Sequence, residues 1–364
     1  AITAGTETPD TGPGIFKYNP PTGFLALCQD NFPETAKGTP DLFWAKNRDA
    51  TDSNSLYDST RGKHKLLKSD STGSTDTKTN GLQKFLKGGA EIEDHAAVNS
   101  VGESYTAWNW VANGGTTSAN TDGSGANRAS TIQANQTAGF SIVTFTSSND
   151  SGFNVDKVAH GLTQGPEWFV FKRTDSTSSW IAYHKDAYAS NQHALVLDTT
   201  AANATFNTEL NPSMFPASPD TNIFSYVSGS AAAKGANFIA YCWHSVEGYS
   251  KIGSYEGINN ANGPFVYTGF KPSWLLCKDI DNTRNWVIID NARDQINPTD
   301  KGLFPNDTAV EATGNNVDFL SNGFKIRTTG TSLNAASTYI FVAFAKHPFI
   351  CLLYTSPSPR DATL

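Results

Sequence analysis

Three runs of consecutive apolar residues, each entered through a proline and left through charged residues, set the pattern of the chain. They are P-D-L-F-W-A-K-N-R-D from Pro40, P-E-W-F-V-F-K-R-T-D from Pro166 and P-S-W-L-L-C-K-D-I-D from Pro272. Short, unbroken apolar stretches between turn signals predict strands covered on both faces. After a polar turn come W-I-A-Y-H from Trp180 and W-V-I-I-D from Trp286, which read as the second arms of hairpins. A third block closes each stretch: Y-T-A-W-N-W from Tyr105, F-I-A-Y-C-W from Phe238 and Y-I-F-V-A-F from Tyr339. Helix-period patterns are weak throughout. The elements predicted are short strands joined by polar turns.

The register of these blocks reveals a repeat of about 100 residues. A lysine follows each proline by six residues (Lys46, Lys172, Lys278) and an aspartate by nine (Asp49, Asp175, Asp281). Fourteen residues after the proline stand Trp180 and Trp286, with Asn54 in the first copy. Arg61 and Arg293 stand twenty-one after it, in the first and third copies only. In the closing block an aromatic recurs five positions after the first: Trp110, Trp243 and Phe344. The second and third copies have an opening strand, F-S-I-V-T-F from Phe140 and Y-S-K-I-G-S-Y from Tyr249; the first lacks one. The expected fold is all-β, a tandem array of antiparallel β-sandwiches of jelly-roll or lectin-like topology. The divisions expected are 1–36 as the end of a preceding domain, 37–115 as repeat 1, 116–138 as a flexible linker, 139–248 as repeat 2, 249–350 as repeat 3 and 351–364 as an artefact tail. Residues 116–138 are read as a linker because they hold almost no large apolar side chain.

Composition agrees with this reading and removes some functions. Ser, Thr, Asn and Gly fill more than a third of the 364 residues, beside 22 Phe, 12 Tyr and 8 Trp. A formal charge of −7 without a Lys/Arg run argues against a nucleic-acid footprint. No 18-residue apolar stretch suggests membrane insertion. The single methionine is Met214, so the N-terminus is expected to be missing. Cys28, Cys242 and Cys277 are far apart, which fits buried thiols in a reducing compartment better than a disulfide framework.

Longer blocks carry a resemblance. F-S-I-V-T-F, A-H-G-L-x-x-G-P, A-Y-C-W-H-S-V-E-G-Y-S-K-I-G-S-Y, G-P-F-V-Y-T-G-F-K-P and F-L-S-N-G-F-K-I-R-T-T-G-T-S-L-N-A-A-S-T-Y-I-F-V-A-F-A-K-H-P-F resemble an uncharacterised repeat domain of marine bacteriophage tail and other virion proteins. The likeness covers roughly Gly38 to Phe349. Pro9 to Glu34 resembles the last strands of a SPRY-type concanavalin-like sandwich, and Cys351 to Asp361 resembles a translated sequencing-library adapter. The resemblance implies a virion structural protein, a tail-fibre or tail-associated host adhesin assembled in the bacterial cytoplasm. Its partners would be other virion proteins and a host-surface glycan or protein, with a homo-oligomer, such as a trimer, as an open expectation. A non-binding spacer and a polysaccharide depolymerase are the rival readings.

Chemistry is sparse. The seven histidines form no HxH, HExxH or His-Cys cluster, no nucleophile elbow or phosphate loop is present, and no cofactor or metal is expected. No catalytic residue is assigned. The prolines, lysines, aspartates and aromatics at fixed register (Pro40, Pro166, Pro272, Lys46, Lys172, Lys278, Asp49, Asp175, Asp281, Trp180, Trp286, Trp110, Trp243, Phe344) are assigned to the scaffold of the unit, with Lys and Asp expected to pair across the hairpin. Binding is expected in the loops that vary between copies, Ser190 to Ser218 and Asn297 to Asn316.

Overall fold

The structure, a computed structural model, describes residues 38–112, 118–120, 127–149, 154–187, 193–205, 214–228 and 233–345. The SPRY-like segment 1–36 and the adapter-like tail lie outside the described residues. The regular structure among the described residues is almost entirely strand, antiparallel except where Asn127–Arg128 runs parallel to Asn154–Ala159, and only Lys185–Ala187 and Thr331–Asn334 are helical.

Each repeat builds the same central sheet. In the first unit it runs, by neighbour, Asp76–Thr77, Lys65–Lys68, Ser55–Asp58, Leu42–Asn47 and Tyr105–Trp110. The second follows the same order with His193–Val196, Ile181–His184, Trp168–Arg173 and Asn237–Trp243, then adds the opening strand Phe140–Thr146. The third has Gly302–Leu303, Val287–Asp290, Pro272–Asp279, Thr338–Ala345 and the opening strand Ser250–Glu256. Among the described residues Tyr105–Trp110 ends the first sheet, where the other two have an opening strand. A smaller outer sheet covers one face of each central sheet: Leu82–Leu86 with Gly89–Ile92, then Asn154–Ala159 with Ile223–Ser228, then Phe265–Tyr267, Gly323–Ile326 and Val317–Leu320.

The alternation along the apolar strands explains why they carry no polar face. In W-F-V-F, Phe169 and Phe171 point into the second unit's own core, beside Phe224, Tyr226 and Phe238. Trp168 and Val170 point the other way, into a cluster that also holds Trp44, Trp108 and Trp110 of the first unit and Trp274, Trp286 and Phe344 of the third. The second cover of each sheet is therefore its two sister sheets. The repeats are not beads on a string; three sandwiches share one central core, and each keeps a satellite core under its outer sheet. At the centre Trp110 meets Trp243 at 5.8 Å, Phe344 at 5.6 Å and Trp274 at 5.7 Å between ring centroids, mostly edge to face, the arrangement aromatic quadrupoles favour.

Within the segment 116–138 the described strands are paired. Ser130–Asn135 pairs along its whole length with Phe140–Thr146, and Ser118–Asn120 pairs with it on the other side. Gln133 donates to Ser59 Oγ (2.9 Å) and Thr60 Oγ1 (2.8 Å), and Asn135 to the Val111 carbonyl (3.1 Å). Ladder hydrogen bonds and amide side chains hold in place a strand whose composition, poor in large apolar groups, reads as coil.

Candidate functional site

The repeated lysines and the position held by Asn54, Trp180 and Trp286 converge on the three seams between units. Lys172 Nζ donates to the Thr72 carbonyl of the first unit at 2.9 Å, Lys278 Nζ to Thr200 of the second at 3.4 Å, and Lys46 Nζ to Thr308 of the third at 3.1 Å. Each unit thus reaches back to the one before it, and the first reaches the third, which closes the ring. The tryptophan position does the same. Trp180 Nε1 donates to Lys68 O (2.8 Å) and Trp286 Nε1 to Val196 O (3.1 Å), while Asn54 Nδ2, standing in the same place, donates to Phe304 O (3.0 Å). Backbone pairs repeat the pattern: Thr75 N to Thr174 O, Asn203 N to Ile280 O and Glu311 N to Arg48 O.

Lys and Asp of a unit do not pair with each other. The three aspartates instead accept the backbone N–H that opens the closing strand: Ser104 N to Asp49 at 2.5 Å, Asn237 N to Asp175 at 3.0 Å and Thr338 N to Asp281 at 2.7 Å. The lysines lie 0% exposed among carbonyls. Burial pulls the ammonium pKa of Lys172 and Lys278 down to about 8 and lowers that of Lys46, where Asp52, Asp70 and Asp307 offset part of the effect.

A short motif after the third strand supplies the receiving side of every seam. Asp70, Asp198 and Asn306 each accept from the backbone N–H of their own unit's Asn54, Trp180 or Trp286, at 2.6, 2.6 and 2.8 Å. Two residues later come the acceptors Thr72, Thr200 and Thr308. This motif carries no apolar signature, and its D/N-x-T spelling also occurs elsewhere in the chain, as at Asp58 and Asp175, so only its place in the structure marks it. Its third copy lies within Asn297 to Asn316 and its second within Ser190 to Ser218. At these positions both segments are engaged in the seams.

The seams differ eighteen residues after the proline. Asp58, 0% exposed, accepts from Arg61 of its own unit and from the Tyr241 hydroxyl of the second (2.8 Å). Asp290 accepts from Arg293 (2.7 Å) and from Trp108 Nε1 of the first unit (3.0 Å). Glu311 joins Arg293 to Arg48 across the same seam, and these partners hold its carboxyl below the usual range although burial opposes them. In the second unit the position is His184, whose Nε2 bonds the Phe341 carbonyl of the third (3.2 Å) while Nδ1 accepts from Asp186 N (3.2 Å).

This fixes a neutral imidazole, because a proton on Nδ1 would face an N–H donor. Burial pushes the His184 pKa down to about 3. Below pH 6.5 the unfolded chain binds a proton here that the folded chain does not, so stability falls as pH drops, and continues to fall until about pH 3. The loss between pH 6.5 and 4 is about 3 kcal/mol from this group. Denaturant midpoints measured from pH 7 to 4 should decline less steeply in His184→Gln than in the parent; equal slopes would show that His184 does not drive the acid limb.

Among the described residues no group of three or more His, Cys, Asp or Glu side chains comes together in a way that could hold a metal ion. Cys242 and Cys277 are unpaired and enclosed, and burial raises both thiols, so they stay protonated at neutral pH. No helix among the described residues is long and apolar enough to cross a membrane.

Residues 31–348 match the family described as a domain of unknown function, DUF7483. The chain belongs to this family. The match takes in all three units and their closing seam, so the DUF7483 domain corresponds to the whole ring and not to one repeat. Neither the curated proteins nor the solved structures contain a match to this chain.

Proposed function

We propose that this DUF7483 protein is a bacteriophage virion component, a tail-fibre or tail-associated adhesin that acts by contacts with the host surface. The observation that carries the reading is the division of labour in the ring. The lysines and aromatics repeated at fixed register are engaged in a seam or in the core, and the aspartates hold the closing strand of their own unit, while the outer sheets face solvent and differ between units. Such a body holds three related surfaces at set positions, and several weak contacts made from them add through effective concentration. The resemblance to marine phage tail repeats supports the virion assignment. Contact through outer sheets, and not through the segments used in the seams, is the mechanism that suits this geometry.

The test is binding of the fluorescently labelled full chain to a panel of marine bacterial cells and to immobilised surface polysaccharides. Saturable binding to a subset of strains, with the polysaccharides left uncleaved, is the expected result. Shortening of the polysaccharide would favour a depolymerase, and absence of binding by both the free chain and an artificially trimerised form would favour a spacer.

A further inference from the structure

Among the described residues the exposed large apolar side chains are few and scattered, with one exception. In the outer sheet of the third unit Phe265 and Tyr267 are 46% and 66% exposed, two residues apart on one strand and on the same face. The buried Val266 between them faces the core. Cross-strand pairing sets Tyr267 opposite Gly323 and Phe265 opposite Lys325, with Leu320 and Asp318 completing the two rows.

Glycines shape this face. A Cβ on Gly323 would stand 3.0 Å from Cε2 and Cζ of Phe265 and closer still to the Val266 carbonyl oxygen, so the Phe265 ring reaches over this glycine, and it remains 46% exposed. Gly269, at φ +87°, lies beside the Tyr267 ring, about 3.7 Å from its hydroxyl to the position a Cβ would take. Lys325 is drawn aside by the Gly263 carbonyl (2.7 Å), and Asp318 is held by Arg327 (3.4 Å), so polar groups rim the rings without covering them. The hairpin tip adds the exposed Ser321 and Asn322.

The second unit shows that the fold does not require these rings. Its outer strand places the buried Val158 where the third has Val266, followed by a positive-φ glycine in both, Gly161 and Gly269. The flanking residues there are Lys157 and Ala159. A scaffold role would apply equally to both copies; the aromatic pair is particular to the third.

We propose that Phe265 and Tyr267 form a carbohydrate platform that takes a hexopyranose ring of a cell-surface glycan. This rests on the adhesin reading and gives it a site and a ligand class. Flat aromatic faces suit the C–H-rich face of a sugar, while the rim of Lys325, Asp318 and Asn322 suits its hydroxyls. Two partly exposed rings offer far less than the roughly 800 Å² per partner that a stable protein interface buries, which favours a small cyclic ligand over a folded partner.

The experiment compares the full chain with Tyr267→Ala, Phe265→Ala and the double variant. The probes are immobilised oligohexoses of gluco, galacto and manno configuration, together with the cells that the parent binds. Tyr267→Ala leaves Gly323 covered, and its thermal midpoint should match the parent, which separates binding from folding. The expected result is oligohexose binding by the parent, weakened at least tenfold in each single variant and absent in the double, with cell binding reduced in parallel. Unchanged binding of cells by the double variant would overturn the platform and leave the adhesin reading standing. Cell binding that the variants lose, in a parent that takes no oligohexose, would overturn the ligand class. A parent that binds neither cells nor sugars would overturn both readings.

Discussion

Trp286→Ala is expected to lower the stability of the whole three-unit body by about 3–5 kcal/mol, the range for deleting a buried tryptophan. The indole is 1% exposed, lies in the shared core, and donates to the Val196 carbonyl of the neighbouring unit. Alanine removes the packing and the indole donor, leaving the Val196 carbonyl only the long bonds from Thr199 N (3.4 Å) and Thr199 Oγ1 (3.5 Å). Trp286→Phe keeps most of the apolar volume and should lose less. Chemical denaturation followed by far-ultraviolet dichroism and by tryptophan fluorescence should shift together in both variants. A loss confined to the third unit, seen as a second transition, would show that the seam does not couple the units.

The second large effect is expected at the seam between the first and third units. Asp290→Ala removes the acceptor of both Arg293 and Trp108 and leaves a guanidinium that is 3% exposed with only Glu311 as counter-ion. Breaking one side of a buried pair costs about 3–5 kcal/mol, because the remaining charge stays desolvated. The double variant Asp290→Leu/Arg293→Met should recover a large part of that loss, since replacing both partners leaves no orphan charge. Equilibrium unfolding of the parent, the single and the double variant checks this ordering. A double variant less stable than Asp290→Ala would contradict it.

The strands were legible in the sequence because proline, an unbroken apolar run and a charged exit recur at one register, and each of those signals has a local cause. Closure was not legible. W-F-V-F shows that both faces of a strand are covered, but an apolar residue carries no mark of whether its cover is its own outer sheet or a neighbouring unit. The seam motif falls out of register with the proline for a physical reason: the connections between the first and third strands differ in length, so Thr72, Thr200 and Thr308 stand 32, 34 and 36 residues after Pro40, Pro166 and Pro272. Lys46, Lys172 and Lys278 were visible as repeated charges, yet their partners are backbone carbonyls, which leave no trace in side-chain identity. Ser130–Asn135 was hidden by its composition, since its place in the sheet comes from ladder bonds and from Gln133 and Asn135 rather than from large apolar groups.

The outer face of the third unit is a different case. Phe265 and Tyr267 sit in a strand of three residues, too short for alternation to tell an exposed ring from a core ring. Only the comparison with Lys157 and Ala159 in the second unit, made once the two strands are matched in space, sets them apart.

The most direct test of a closed three-unit body is differential scanning calorimetry of the full chain. A single transition is expected, with equal calorimetric and van't Hoff enthalpies of about 200 kcal/mol, the value for roughly 300 residues melting as one unit near 60 °C. Two or three separable transitions, each with about a third to two thirds of that enthalpy, would mean that the units melt independently and would contradict the account.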